Sequence, residues 1–269
     1  MHLVISALHF IWRDIDEAVE RATRTFGLDG VEWSWKTSFA RPHCTREDVD
    51  RLTALAGRHG HAFSAHIWEN LAASDGVRAR DDLLDWLNLA SKTGVRNLVL
   101  HGGSYDDQKQ GIARTRQVLE RVLPAFERAK VVLNLENHYA YAYRNCRELF
   151  SEPWEFQEVL ALDSPSLRVC FDTGHGNMTR NTAELLNTLA PWINYVHLAD
   201  NHGVDDDHVA YRQGTVDWET VFTLLRANGF DGACCVEFPV RDDRRPFDAC
   251  LADIRRRFDR CAPGTERAG

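Results

Sequence analysis

Short apolar runs alternate with longer stretches of helical period along almost the whole chain. LVISAL at 3–8 is the first run, and DIDEAVERATRTF at 14–26 reads as a helix with Asp14 or Asp16 as N-cap. GVEWSW at 30–35 is followed by a helix over 45–58, and AFSAHI at 62–67 by DDLLDWLNLASKTG at 81–94, which Gly94 ends. NLVLHGG at 97–103 leads into a long helix ending near Lys130, and VVLNLENH at 131–138 into a helix over 150–161. LRVCFDTGH at 167–175 precedes a helix over 181–190, and INYVHLAD at 193–200 precedes DWETVFTLLRANGF at 217–230. GACCVEFP at 232–239 and a helix over 246–260 complete the pattern.

The runs are nearly continuously apolar, as strands buried on both faces are. Strict alternation of strand and helix over about 260 residues is the arithmetic of an α/β protein built as a single (β/α)8 barrel. An open doubly wound sheet would carry a Gly-rich phosphate loop after its first strand, and ALHFIWRD has none. No linker or composition shift divides the chain. The reading is a barrel over 1–260 and a small, polar, flexible tail, APGTERAG and its flank, over 261–269.

A barrel of this kind puts its chemistry at the C-terminal ends of its strands. Those ends are polar here. The third run ends near His66, the fourth at His101, the fifth at Glu136 with His138 beyond it, and the sixth at Asp172 with His175 following. The seventh carries His197 and Asp200, with Asp206 and His208 in the loop after it, and the eighth ends at Glu237. Of 12 histidines, these six are expected on one face with His9 as a candidate seventh, whereas His2, His59 and His61 fall on the other. A carboxylate ending a buried strand is costly without a partner. Imidazole with carboxylate and no thiolate suits Mn, Zn, Co, Fe or Mg. Glycines 102, 103, 174 and 176 are expected to turn the backbone sharply past these residues. Glu32 is either a substrate contact or a buried polar partner. Trp12, Trp33, Trp35, Trp68 and Tyr139 are expected near the mouth, where they would stack on a sugar or simply pack.

Charge and composition narrow the partners. A net charge of −8 argues against nucleic acid as the main partner. Seven scattered cysteines without CxxC read as reduced thiols of a cytoplasmic protein. No apolar segment is long enough for a membrane span, and MHLVISALHF does not read as a signal peptide.

The motifs GVEW, LVLHGG, LNLENH, CFDTGHGN, YVHLAD, GTVDW and GACCVEF, in this order over roughly residues 3–257, resemble the xylose isomerase-like barrels. That superfamily includes sugar phosphate isomerases and epimerases and endonuclease IV. The epimerase branch implies one divalent metal held by Glu136, Asp172, His197 and Glu237, with Glu136 and Glu237 also the catalytic acid and base and His175 touching substrate. The region after the seventh strand reads ADNHG, without the Arg that ketose 3-epimerases carry there. The endonuclease IV branch implies up to three zinc ions on His66, His101, Glu136, Asp172, His175, His197, Asp206, His208 and Glu237.

The resulting expectation is a metal-dependent isomerase or epimerase acting on a small sugar, cyclitol or sugar phosphate through an ene-diolate. A multinuclear zinc phosphodiesterase, a lyase or dehydratase on a sugar-derived substrate, and a barrel that binds without chemistry are the alternatives. Glu32, Trp68, His138 and Arg212 are the further substrate-binding candidates, Arg212 with Gly214 as a phosphate site in RQGTVDW. Barrels of this kind often pair, which leaves a homodimer open.

Overall fold

The computed structural model describes residues 2–35, 46–59, 62–140, 142–143, 146–241 and 243–259. Cys44, His61, Cys261 and the tail at 261–269 lie outside these described residues.

Eight parallel strands close into a barrel. In chain order they are β1 (His2–Ser6), β2 (Gly30–Trp35), β3 (Ala62–Ile67), β4 (Asn97–His101), β6 (Val132–Glu136), β9 (Leu167–Asp172), β10 (Ile193–Leu198) and β11 (Ala233–Val236). Three short strands, β5 (Ser104–Tyr105), β7 (Ala142–Tyr143) and β8 (Cys146–Glu148), form a small antiparallel sheet that the apolar pattern did not announce. They are too short to carry a period.

The helices are α1 (Ile15–Glu20), α2 (Arg46–His59), α3 (Gly76–Thr93), α4 (Gln108–Ala129), α5 (Pro153–Leu160), α6 (Thr173–Thr179), α7 (Thr182–Thr188), α8 (Trp218–Ala227) and α9 (Arg245–Asp259). Asp14 caps α1, which widens into a π-helical turn over Arg21–Thr25. α3 starts five residues before the expected 81, because the Asp75 side chain accepts from the Val77 and Arg78 amides. It ends where expected, with Gly94 left-handed at φ 76°. No helix among the described residues is long and apolar enough to cross a membrane.

The core has two parts. Val4, Val99, Cys170, Tyr195 and Cys235 fill the barrel interior. The larger part lies between strands and helices, where Trp35 stacks on the fully buried Trp86 with ring centroids 6.0 Å apart. Trp35 therefore packs outside the barrel wall and not at the mouth. Below the interior layer, Asn194 donates to Asn97 (3.0 Å) and Asn134 (2.9 Å) and ties three strands together.

The strand β9 runs directly into α6, and Asp172 is the hinge between them. Its Oδ1 accepts the His175 amide at 2.6 Å and so caps the helix. The expected sharp turns at Gly174 and Gly176 are absent; both sit inside α6. Their value is closeness: a Cβ on Gly174 would come within 2.8 Å of Asn201 Nδ2. Gly103 does adopt the left-handed conformation, at φ 79°.

Candidate active site

Strand register brings the polar ends to one level. His101 on β4 lies beside Glu136 on β6, and His197 on β10 lies beside Asp172 on β9. The ends surround an open cavity. Its wall includes Ser6, Leu8, His9 and Trp68 on one side and Glu136, His175, His197, Asp206, His208 and Glu237 elsewhere, with His66 and His101.

Glu136 is the centre of the arrangement. Its Oε2 lies 2.9 Å from His66 Nε2 and 3.3 Å from His101 Nε2. Its Oε1 lies 3.0 Å from His197 Nδ1 and 3.6 Å from His175 Nδ1. His197 Nδ1 also faces Glu237 at 3.8 Å, while its Nε2 faces Glu32 at 3.2 Å. A second group joins this one: Asp206 takes His175 Nε2 and His208 Nε2, each at 3.4 Å. His208 Nδ1 is 3.8 Å from Glu237.

Residues 20–266 match the family described as xylose isomerase-like TIM barrel. The chain belongs to the xylose isomerase-like TIM barrel family. Among solved structures it is similar to a D-tagatose 3-epimerase-like protein, with TM-score 0.79 and 21% identity over 97% of this chain and 100% of that one. It is also similar to a D-psicose 3-epimerase from Clostridium cellulolyticum H10, with TM-score 0.79 and 17% identity over 95% and 99% of the two chains. At these identities the likeness is one of fold. An uncharacterized Methanocaldococcus jannaschii protein, MJ1311, is 35% identical over 82 residues, 29% of this chain and 28% of that one. The chain spans 28% and 56% of the lengths of the curated relatives it matches.

In this family member the site's charges are pushed apart by burial and by one another. Burial alone would raise the Glu136 carboxyl, but the His197 and His101 charges and hydrogen bonds hold it well below the carboxylate range. Burial raises the Glu237 carboxyl to about 7 against the pull of His197 and His208, with smaller upward pushes from Glu32 and Asp172. Burial also raises Asp172. Burial would neutralise His175, yet Asp172 and Asp206 raise it to about 10; His208 is raised to about 9, where Asp206 again outweighs burial. Burial instead lowers His101 to about 4 and His9 to about 3 and lowers His138 as well, so these three are neutral. These directions describe the protein without metal.

The residues fit a divalent cation. Asp172 Oδ2 is buried without a hydrogen-bond partner. Donor atoms of Glu136, Asp172 and His175 lie within 4.8 Å of one another, as do those of His66, Glu136 and His197. Hard oxygen and imidazole donors clustered around a partnerless carboxylate oxygen are what a metal ion needs.

Several sequence expectations land elsewhere. Glu32 is buried behind His197, off the cavity wall. Arg212 pairs with Asp253 at 3.6 Å and does not line the cavity. The Gly214 amide donates to Asp200 at 3.2 Å, so the protein's own carboxylate occupies the expected phosphate cradle. His138 packs between His101 and His175, each ring centroid 4.8 Å away. Trp68 does line the cavity, and its indole donates to Ser34 at 3.0 Å.

Sequence reasoning passed over Ser6 and Leu8 and left His9 undecided. All three lie at or just beyond the end of β1, which bears no acid. It also overlooked Asn137, whose side chain accepts the Asp172 amide at 2.6 Å and donates to the Asp172 carbonyl at 3.1 Å. Its place beside Glu136 in LENH was the available signal.

Proposed function

We propose that the protein is a divalent-metal-dependent isomerase or epimerase of a small sugar, cyclitol or sugar derivative. One observation carries the reading. Glu136 and Glu237 approach the same His197 Nδ1, at 3.0 and 3.8 Å, on the wall of one cavity. The buried, partnerless Asp172 Oδ2, grouped with Glu136, supports the same reading. The sugar 3-epimerase names of the structural neighbours support the same class.

Glu136, Asp172, His197 and Glu237 would hold one Mn, Co, Fe, Mg or Zn ion. Such an ion, when bound, supplies Lewis acidity at the oxygens of a substrate. One glutamate removes the proton next to the carbonyl, which leaves an ene-diolate, and the other returns a proton. Return to the same carbon from the opposite face is epimerisation; return to the neighbouring carbon is isomerisation. His175, on the wall beside Glu136, would donate to a substrate hydroxyl in place of Asp206. Trp68 and Leu8 give the cavity an apolar side for the C–H face of a ring. The test is incubation with ketoses and inososes in D2O plus Mn. Deuterium appearing next to the carbonyl, together with a new stereoisomer or isomer, is expected. No exchange on any of them overturns the reading.

A second reading rests on Glu136 presenting its two oxygens to different histidine pairs and on the His175–Asp206–His208 group. Glu136 with its histidine pairs would hold two zinc ions and the His175–Asp206–His208 group would hold a third, as a multinuclear zinc phosphodiesterase would need. Cleavage of a phosphodiester or abasic-site substrate by zinc-loaded protein supports it, and inertness toward both removes it.

A further inference from the structure

Glu32 lies in the middle of β2, 1% exposed. It is separated by 165 positions in sequence from His197, whose ring it meets across the barrel. Its carboxylate is 3.2 Å from His197 Nε2, while Glu136 and Glu237 meet the opposite ring nitrogen, Nδ1. Glu32 thus meets the ring nitrogen opposite the one that faces Glu136, and its carboxylate lies within 4.8 Å of donor atoms of Cys235 and Glu237. Glu32 is also absent from the cavity wall, so substrate does not reach it. The layer around it is polar and closed: Ser64, its register neighbour on β3, hydrogen-bonds the Tyr195 hydroxyl at 2.6 Å, both buried.

A neutral imidazole carries one hydrogen, and whichever nitrogen donates leaves the other with its lone pair. We propose that Glu32 is a positioning residue that accepts Nε2–H of His197 and thereby turns the Nδ1 lone pair toward Glu136 and Glu237. The proposal rests on the metal-site reading above and adds the group that fixes the tautomer and rotation of its histidine. Without Glu32, the two carboxylates on the Nδ1 side compete for the ring hydrogen. Outer carboxylates of this kind change metal affinity by about 10–100-fold.

The experiment titrates Mn or Co alone into metal-free full-length protein by calorimetry. Glu32→Ala is expected to weaken binding about 10–100-fold, and Glu32→Gln, whose amide oxygen still accepts Nε2–H, by less. Glu32→Ala binding within about twofold of the parent, with the fold intact by circular dichroism, overturns the proposal. A measurement on the unaltered protein guards against a variant that fails to fold. In the zinc-loaded protein, nitrogen-15 NMR should place hydrogen on His197 Nε2 and metal on Nδ1; the reverse arrangement overturns the proposal. No uptake of Mn, Co or Zn by the parent overturns both this proposal and the metal reading. Failure of every sugar substrate, with metal binding intact, overturns only the activity.

Discussion

Asp172→Asn separates two roles that one side chain holds. Asp172 Oδ1 caps α6 through the His175 amide, and Oδ2 is the buried oxygen without a partner. An asparagine caps a helix about as well as an aspartate, whereas loss of the cap costs about 1 kcal/mol. The carboxyl's folded pKa is raised, first by burial and then by Glu136 and Asp206, against the pull of His175. An acid raised on folding destabilises the fold once pH exceeds its unfolded pKa, and the penalty vanishes below it. Asp172→Asn carries no such charge. At pH 7 without metal the variant should therefore be at least as stable as the parent, and the gap should close in acid. Metal reverses the order. At a metal concentration 100 times Kd the parent gains about 2.7 kcal/mol, and the variant gains little. Asp172→Ala should fall about 1 kcal/mol below Asp172→Asn in both conditions. Urea unfolding with EDTA and with Mn reads all of this. Equal stabilisation of parent and variant by metal would refute the reasoning. So would a metal-free variant more than about 1 kcal/mol below the parent.

Other expectations are equally direct. Glu237→Gln should lower the rate of deuterium exchange into substrate by about 10²–10⁴-fold; a rate within tenfold of the parent contradicts the acid–base assignment. Asp200 is fully buried and accepts from Gly214, Val216 and the Trp218 indole at 3.2, 3.3 and 3.2 Å. Asp200→Ala strands three donors, each worth about 1–3 kcal/mol when buried, so denaturation should show a loss of about 3 kcal/mol or more, and a loss under about 1 counts against this. Arg212 is engaged by Asp253, so Arg212→Ala should leave KM unchanged for a sugar and for its phosphate ester alike; a rise confined to the ester would restore Arg212 as a phosphate ligand. His175 and His208 are raised to about 10 and about 9 without metal, so an ion binding there displaces protons. Uptake at that group should strengthen as pH rises from 7 toward 9, with proton release visible as a buffer-dependent heat. Uptake independent of pH contradicts it.

The barrel was legible because its eight strands are largely buried on both faces and its longer helices show one apolar stripe. AFSAHI and GVEWSW match β3 and β2 at both ends. Helix α6 was not legible, because TGHGNMT has two glycines and no apolar stripe; the capping carboxylate and the close packing of its glycines on Asn201 make it. The ring of strand-end ligand types could be read from residue type and position alone. Which atoms face which could not. That Glu136 divides its oxygens between two histidine pairs depends on side-chain rotamers, and that Glu32 sits behind His197 depends on contact across the barrel. Arg212 shows the opposite failure: the local motif suggested an anion site, and a residue of α9 claimed the cation.

The central claim is a cation site built from Glu136, Asp172, His197 and Glu237. Elemental analysis of protein purified without chelator or affinity tag tests it most directly. The account predicts about one divalent ion per chain, Mn, Co, Fe, Mg or Zn, reduced to a small fraction by Asp172→Asn. Metal-free protein that takes up none of these ions on addition would contradict it.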